Sequence, residues 1–119
     1  MKSSDARDRA SVGMLKRQSD GTPMLDDNGK ETVEYLFENW HCRRQDKAGA
    51  EVLARNMGQE QASIECTFEF FANPATRAIN ATHFIFWRGI RHDIKYIITP
   101  EKRNTEPESI IFYCTRSFV

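Results

Sequence analysis

The sequence predicts a mainly β fold: a small antiparallel β-barrel or sandwich with one short α-helix and long loops. Three observations predict it. Gln61 to Ala72 alternates, with Ile64, Cys66, Phe68 and Phe70 on one side and Glu65, Thr67 and Glu69 on the other, the period of two expected of a strand. Two more β-branched and aromatic runs, Thr82 to Trp87 and Arg91 to Thr99, flank Arg88-Gly89-Ile90, where glycine supplies the positive φ of a tight hairpin. Only Asp46 to Met57 carries helical spacing, through Ala48, Ala50, Val52, Leu53, Ala54 and Met57, with Asp46 as its cap and Gly58 as its stop.

The remaining elements follow in chain order. Residues 1–12 are polar and nearly free of large apolar groups, which predicts a flexible N-terminal arm preceding a single β domain over 13–119. Val12 to Gln18 reads as a short first strand. Ser19 to Asn28-Gly29 contains Gly21, Pro23 and an Asn-Gly pair, so it reads as a loop or long hairpin tip. Thr32 to Arg44 carries Val33, Tyr35, Phe37, Trp40 and Cys42 in imperfect alternation, a strand with a bulge near Glu38-Asn39. Asn73-Pro74 breaks the middle strand, and Pro100 to Glu108, with two prolines, is a loop. Ser109 to Val119 closes the chain with apolar groups on both faces, so a neighbouring subunit or the chain's own helix must cover the second face. The helix is expected against one opening of the barrel.

Charge and cysteine usage bound the function. Lysine plus arginine and aspartate plus glutamate number 17 each among 119 residues, so no net charge holds the chain to DNA or an anionic membrane. The balance is uneven locally. Asp20, Asp26, Asp27, Glu31, Glu34 and Glu38 face Lys30 alone over 20–38, whereas Arg88, Arg91, Lys95, Lys102 and Arg103 outnumber Asp93 and Glu101 over 88–103. Patches of opposite sign suit copies docking on one another, although two ordinary solvated faces explain them equally well. Cys42, Cys66 and Cys114 are odd in number and lie in apolar stretches, as reduced packing residues do. No apolar run reaches the length that crosses a bilayer, and a start of Met1-Lys2-Ser3-Ser4-Asp5 points to a protein made in a cytoplasm.

Few residues suggest chemistry. His41, His83 and His92 belong to no close metal-ligand spacing, and each is expected within a strand. His41 and Cys42, as strand neighbours, point to opposite faces. Glu65 and Glu69 stand roughly 13 Å apart along a strand and read as solvated acids. Phe68, Phe70, Phe84, Phe86, Trp87 and Tyr96 beside Arg88 and Arg91 would suit a nucleic-acid platform of the OB type, but aromatics at alternating strand positions are usually core. No catalytic residue, metal or cofactor is therefore expected, and the chain reads as no enzyme.

The run from Trp40 to Ile94 resembles the phage head-tail joining family, also called head-closure, stopper or head-tail adaptor proteins. The likeness rests on Trp40-His41-Cys42-Arg43, Gly49-Ala50-Glu51, the strand Ala62 to Phe68, and Trp87-Arg88-Gly89-Ile90-Arg91-His92-Asp93-Ile94. Its weaker ends extend over about 13–119. Two places depart from the family pattern: Phe70-Phe71 stands where an arginine-tyrosine pair often ends the middle strand, and His83-Phe84 where a basic residue often precedes the hairpin. The resemblance implies a virion structural protein of the head–tail neck. Its copies would form a ring that closes the DNA-filled head, meeting portal or adaptor proteins on one side and tail terminator or tail proteins on the other, with non-specific contact to packaged DNA. A tail terminator or tail-tube protein is the nearest alternative, and an OB-like nucleic-acid-binding module comes next. Partner contacts are expected at Asp26 and Asp27 in the loop and at Arg43, Arg44, Lys47, Glu51 and Arg55, read as leaving the barrel without packing roles. Trp87, Arg88, Gly89, Asp93 and Ile94 are expected to fix the hairpin.

Overall fold

The computed structural model describes residues 1–46, 64–100 and 107–117. Six antiparallel strands close into a barrel: β1 (Asp8–Leu15), β2 (Val33–Gln45), β3 (Cys66–Phe71), β4 (Phe84–Trp87), β5 (Ile90–Ile98) and β6 (Ser109–Arg116). Around the barrel their order is β1-β2-β3-β6-β5-β4, with β4 pairing back onto β1. Closure leaves no unpaired sheet edge. No helix among the described residues is long and apolar enough to cross a membrane.

The interior follows from the strand period. Val12, Phe37, Cys42, Cys66, Phe68, Phe70, Ile85, Ile94, Phe112 and Cys114 point inward and are buried together. Cross-strand register stacks them in rows: Cys66 opposite Cys114, Phe68 opposite Phe112, Phe70 opposite Ile110. The Phe70 ring meets Phe37 and Phe112 edge-on, at centroid distances of 5.4 and 6.0 Å, the geometry that ring quadrupoles favour. The outward face of β6 is covered as well. Ile111 and Tyr113 are buried with Ile64, and Tyr96 and Ile98 pack against them, so this apolar face is already buried within one chain.

Bulges shape β2 as its composition suggested. Between Ala10↔Trp40 and Val12↔Phe37 the register gains a residue, and Asn39 there takes a φ of 54°. Gly13 sits where β1 is squeezed between strands. A Cβ on it would lie 2.7 Å from the Glu34 carbonyl oxygen and 2.9 Å from Val33 Cγ1. The β4–β5 turn is the tight hairpin expected, since Arg88 and Gly89 both have positive φ, 50° and 76°, as a type I′ turn requires.

Several boundaries differ from those read in the sequence. The first strand begins at Asp8, inside the expected arm, and ends at Leu15. Ser3–Asp5 forms a 3-10 turn, and Met1 is only 8% exposed, its amino group donating to the Pro107 carbonyl at 3.2 Å. The arm looked too polar to order itself. It orders because it lies against other strands. The expected helix lies outside the described residues apart from Asp46; the helix described is a single turn, α1 (Pro74–Arg77). It starts at the Asn73-Pro74 break, where Asn73 Oδ1 accepts from the Thr76 amide and Thr76 Oγ1 accepts from the Asn73 amide. This reciprocal cap and Pro at the first position make a helix start of what had read as a strand stop.

Candidate functional site

Beyond the last β1–β2 pair, Leu15↔Val33, the hairpin continues through residues 16–32, and everything from Lys16 to Glu31 is exposed. It is nonetheless built. The Lys16 amide donates to Thr32 O at 2.8 Å, the Thr32 amide to Met24 O at 2.9 Å, and the Met24 amide to Lys16 O at 2.9 Å. These three bonds form a closed triangle from which two small lobes emerge. One turns through Asp20, whose carboxylate accepts from the Thr22 amide and hydroxyl; these bonds hold the Asp20 carboxyl below the usual aspartate range. The other turns through Asp26, which accepts from the Asn28 and Lys30 amides, both at 2.9 Å. Asp26 is thus an internal brace, and Asp27 beside it is exposed.

Apolar exposure concentrates on this hairpin. Among the described residues the large exposed hydrophobic side chains are Met14, Met24, Leu25, Tyr35, Leu36, Trp40 and Ile97, and all but Ile97 belong to β1, β2 or their connection. Single exposed apolar residues are ordinary, whereas six fall along this one hairpin. The hairpin is anchored at its base: Tyr35 meets Phe86 edge-on at 5.6 Å, and Arg91 lies over the Phe84 ring at 4.5 Å, 3.9 Å from Glu31.

The basic pair Arg43 and Arg44 lies in β2 and does not leave the barrel as its polarity suggested. Arg43 faces outward, and its Nη2 donates to Glu69 Oε1 at 2.6 Å, with Asp5 3.7 Å away. Glu69, expected as a solvated acid, is 5% exposed and also accepts from the Ser109 hydroxyl. The alternation of β3 therefore does not separate core from solvent: Cys66 to Phe70 are all buried. Burial, with the Glu69 charge nearby, pushes the Tyr113 hydroxyl upward. Arg44 places its guanidinium 4.1 Å from the Trp87 ring, and Arg88 lies 4.7 Å from the same ring. Both β2 arginines lie within the barrel wall and have packing roles. Lys47, Glu51 and Arg55 lie outside the described residues.

Of the hairpin residues, Trp87, Arg88 and Gly89 make the turn and its stack, Asp93 lies opposite Phe84 and Thr115, and Ile94 is core opposite Cys114. The chain matches no protein-family model and no curated protein. The histidines stand on different segments. His41 is exposed on β2, with Cys42 buried beside it. His83 stands in the turn before β4, not within a strand, and its Nδ1 accepts from the Asn80 amide at 3.2 Å. His92 is buried against Phe68, and burial lowers its pKa. Burial raises every thiol: Cys42 to about 12, with Asp8 adding to the effect, Cys66 to about 11 despite a nearby Arg44, and Cys114 well above the usual thiol value. Such thiols are poor nucleophiles. No group of three or more metal-ligating side chains occurs among the described residues.

Sequence reasoning missed the Glu69–Ser109 contact, because nothing in a strand of alternating residues says that both faces are covered. It also missed that Leu25, Tyr35, Leu36 and Trp40 are exposed. The signal was present: these apolar residues are interleaved with Asp26, Glu34 and Glu38, a mixture unsuited to a core strand.

Proposed function

We propose that the chain is a structural subunit of a tailed bacteriophage, one copy of a ring in the connector that closes the DNA-filled head and presents a surface to the tail. The observation that carries this reading is the β1–β2 hairpin, with six exposed large apolar side chains on a closed barrel. A barrel filled by its own side chains is a rigid platform, and a hairpin of this composition gains by being covered. The resemblance of Trp40 to Ile94 to head-tail joining proteins gives that surface its setting: neighbouring copies around a ring, portal or adaptor proteins above and tail proteins below.

The test is genetic. A phage lacking this chain is expected to package DNA and then lose it from tailless heads, and supplying the chain in trans restores infectivity. Sealed heads accompanied by tails of uncontrolled length would favour the tail-terminator reading instead. Normal infectious particles would sink the proposal, as would salt-dependent binding of oligonucleotides by the purified chain as its main activity.

A further inference from the structure

The described residues also form a cavity at one end of the barrel, between β3, β5, β6 and α1. It is open to one side and has a volume of about 240 Å³. Ala72, Ile79, Ile97 and Ile110 supply its apolar surface, and Arg77 and Glu108 stand at its rim. Thr76 also lines it, but its hydroxyl already donates to the Phe71 carbonyl at 2.9 Å and accepts from the Asn73 amide. What is left to a visitor is an apolar hole with a charged edge.

We propose that this cavity receives the Leu25 side chain of a second copy of the chain, so that the hairpin of one copy docks on the barrel end of the next. The proposal deepens the connector reading and rests on it, because that reading supplies the neighbouring copy. Among the described residues Leu25 is the most exposed of the large apolar side chains, at 56%, and the one of them that lies off the hairpin, Ile97, lines the cavity at 41%. Knob and hole account for both. Cavities of about 150 Å³ lined by aliphatic groups take up a benzene-sized molecule, so an isobutyl group fits with room to spare.

Charge agrees with shape. Asp26 and Asp27 directly follow Leu25, and Asp27 is exposed. Arg77 at the rim is held by Glu108 at 3.0 Å, with the two side chains 55% and 50% exposed. Such a pair is worth little, and the exposed Arg77 guanidinium, with further N–H groups to donate, can bridge Glu108 and an arriving carboxylate. The hairpin does not fill its own chain's cavity, since both are open in the single copy. Its strands β1 and β2 are also not those that wall the cavity, and β1 stands across the barrel from β6. Two different patches that fit each other give a head-to-tail contact, the kind that propagates around a ring.

The test uses the full chain. Leu25→Cys and Ile97→Cys are purified separately, mixed at high concentration and oxidised; the native cysteines are buried and do not compete. A disulfide-linked dimer is expected from the mixture and from neither variant alone. Sedimentation is expected to show association weakened by roughly tenfold or more in Leu25→Asp. Asp27→Lys and Arg77→Glu should each weaken it and partly restore it when combined. Leu25→Cys cross-linking to itself, association unchanged by Leu25→Asp, or no cross-link at any concentration overturns the contact. None of these results decides the connector reading, which is judged by the infectivity assay; a phage that needs the chain but tolerates Leu25→Asp separates the two.

Discussion

Arg43 and Glu69 form an ion pair whose partners differ in their access to water, and that difference fixes the order of two mutational effects. The Glu69 side chain is 7% exposed and that of Arg43 35%. Arg43→Met keeps the stem that packs on the sheet but leaves a carboxylate buried, with the Ser109 hydroxyl as its remaining described partner. Removing one partner of a buried pair costs about 3–5 kcal/mol, and the part-exposed guanidinium places this case at about 3. Glu69→Gln preserves volume and an acceptor for Ser109, while the orphaned guanidinium keeps contact with water and with Asp5. Losing the charge from one hydrogen bond there costs about 1–2 kcal/mol. The double variant Arg43→Met/Glu69→Gln removes both charges and keeps a partner for the Ser109 hydroxyl, so it is expected to cost about 2 kcal/mol, well under the sum of the singles. Urea unfolding at neutral pH, with m compared across all four proteins, measures these values. A Glu69→Gln cost equal to that of Arg43→Met, or a double variant as unstable as the sum of the singles, would refute the reasoning.

Other outcomes follow from single features. Gly13→Ala forces a methyl onto the Glu34 carbonyl and Val33 and should cost about 2 kcal/mol, read as a lowered urea midpoint; an unchanged midpoint would mean the strands part freely. All three thiols should resist a thiol-specific reagent in the native protein and react on addition of urea, with rapid native labelling arguing against the burial of Cys42, Cys66 and Cys114. His92 has a lowered folded pKa, so the unfolded chain binds its proton first as pH falls. The contribution of His92 is therefore fully present above about pH 6.5 and declines below that until the folded imidazole also protonates. Unfolding free energies between pH 8 and 5 should show this slope, and it should be smaller in His92→Asn.

The barrel was legible in the sequence where one physical rule acted alone. The β4–β5 hairpin could be read because Gly89 leaves few conformations open, and the bulge near Asn39 because alternation failed there. Closure itself was not legible, since nothing local states that β4 returns to β1. Nor was the burial of Glu69, which depends on Arg43 of β2 and Ser109 of β6, both distant in sequence, meeting it. The short α1 was hidden for another reason: Asn73-Pro74 ends a strand and starts a helix by the same restrictions. At the candidate surface, polarity pointed correctly to exposure of 20–31 but read Arg43 and Arg44 as leaving the barrel without packing roles, because a charged side chain on a strand can serve as a fastener as well as a flag.

The triangle at Lys16, Met24 and Thr32 separates the barrel from what hangs beyond it. Each lobe begins and ends at two of these three peptide groups, so a change in the length of one lobe is absorbed before it can shift the pairing of β1 with β2. Extra residues spliced at Asn28-Gly29 would enlarge one leaf of a clover and leave the stem in step. The molecule can thereby alter what it shows to the outside without renegotiating how it folds.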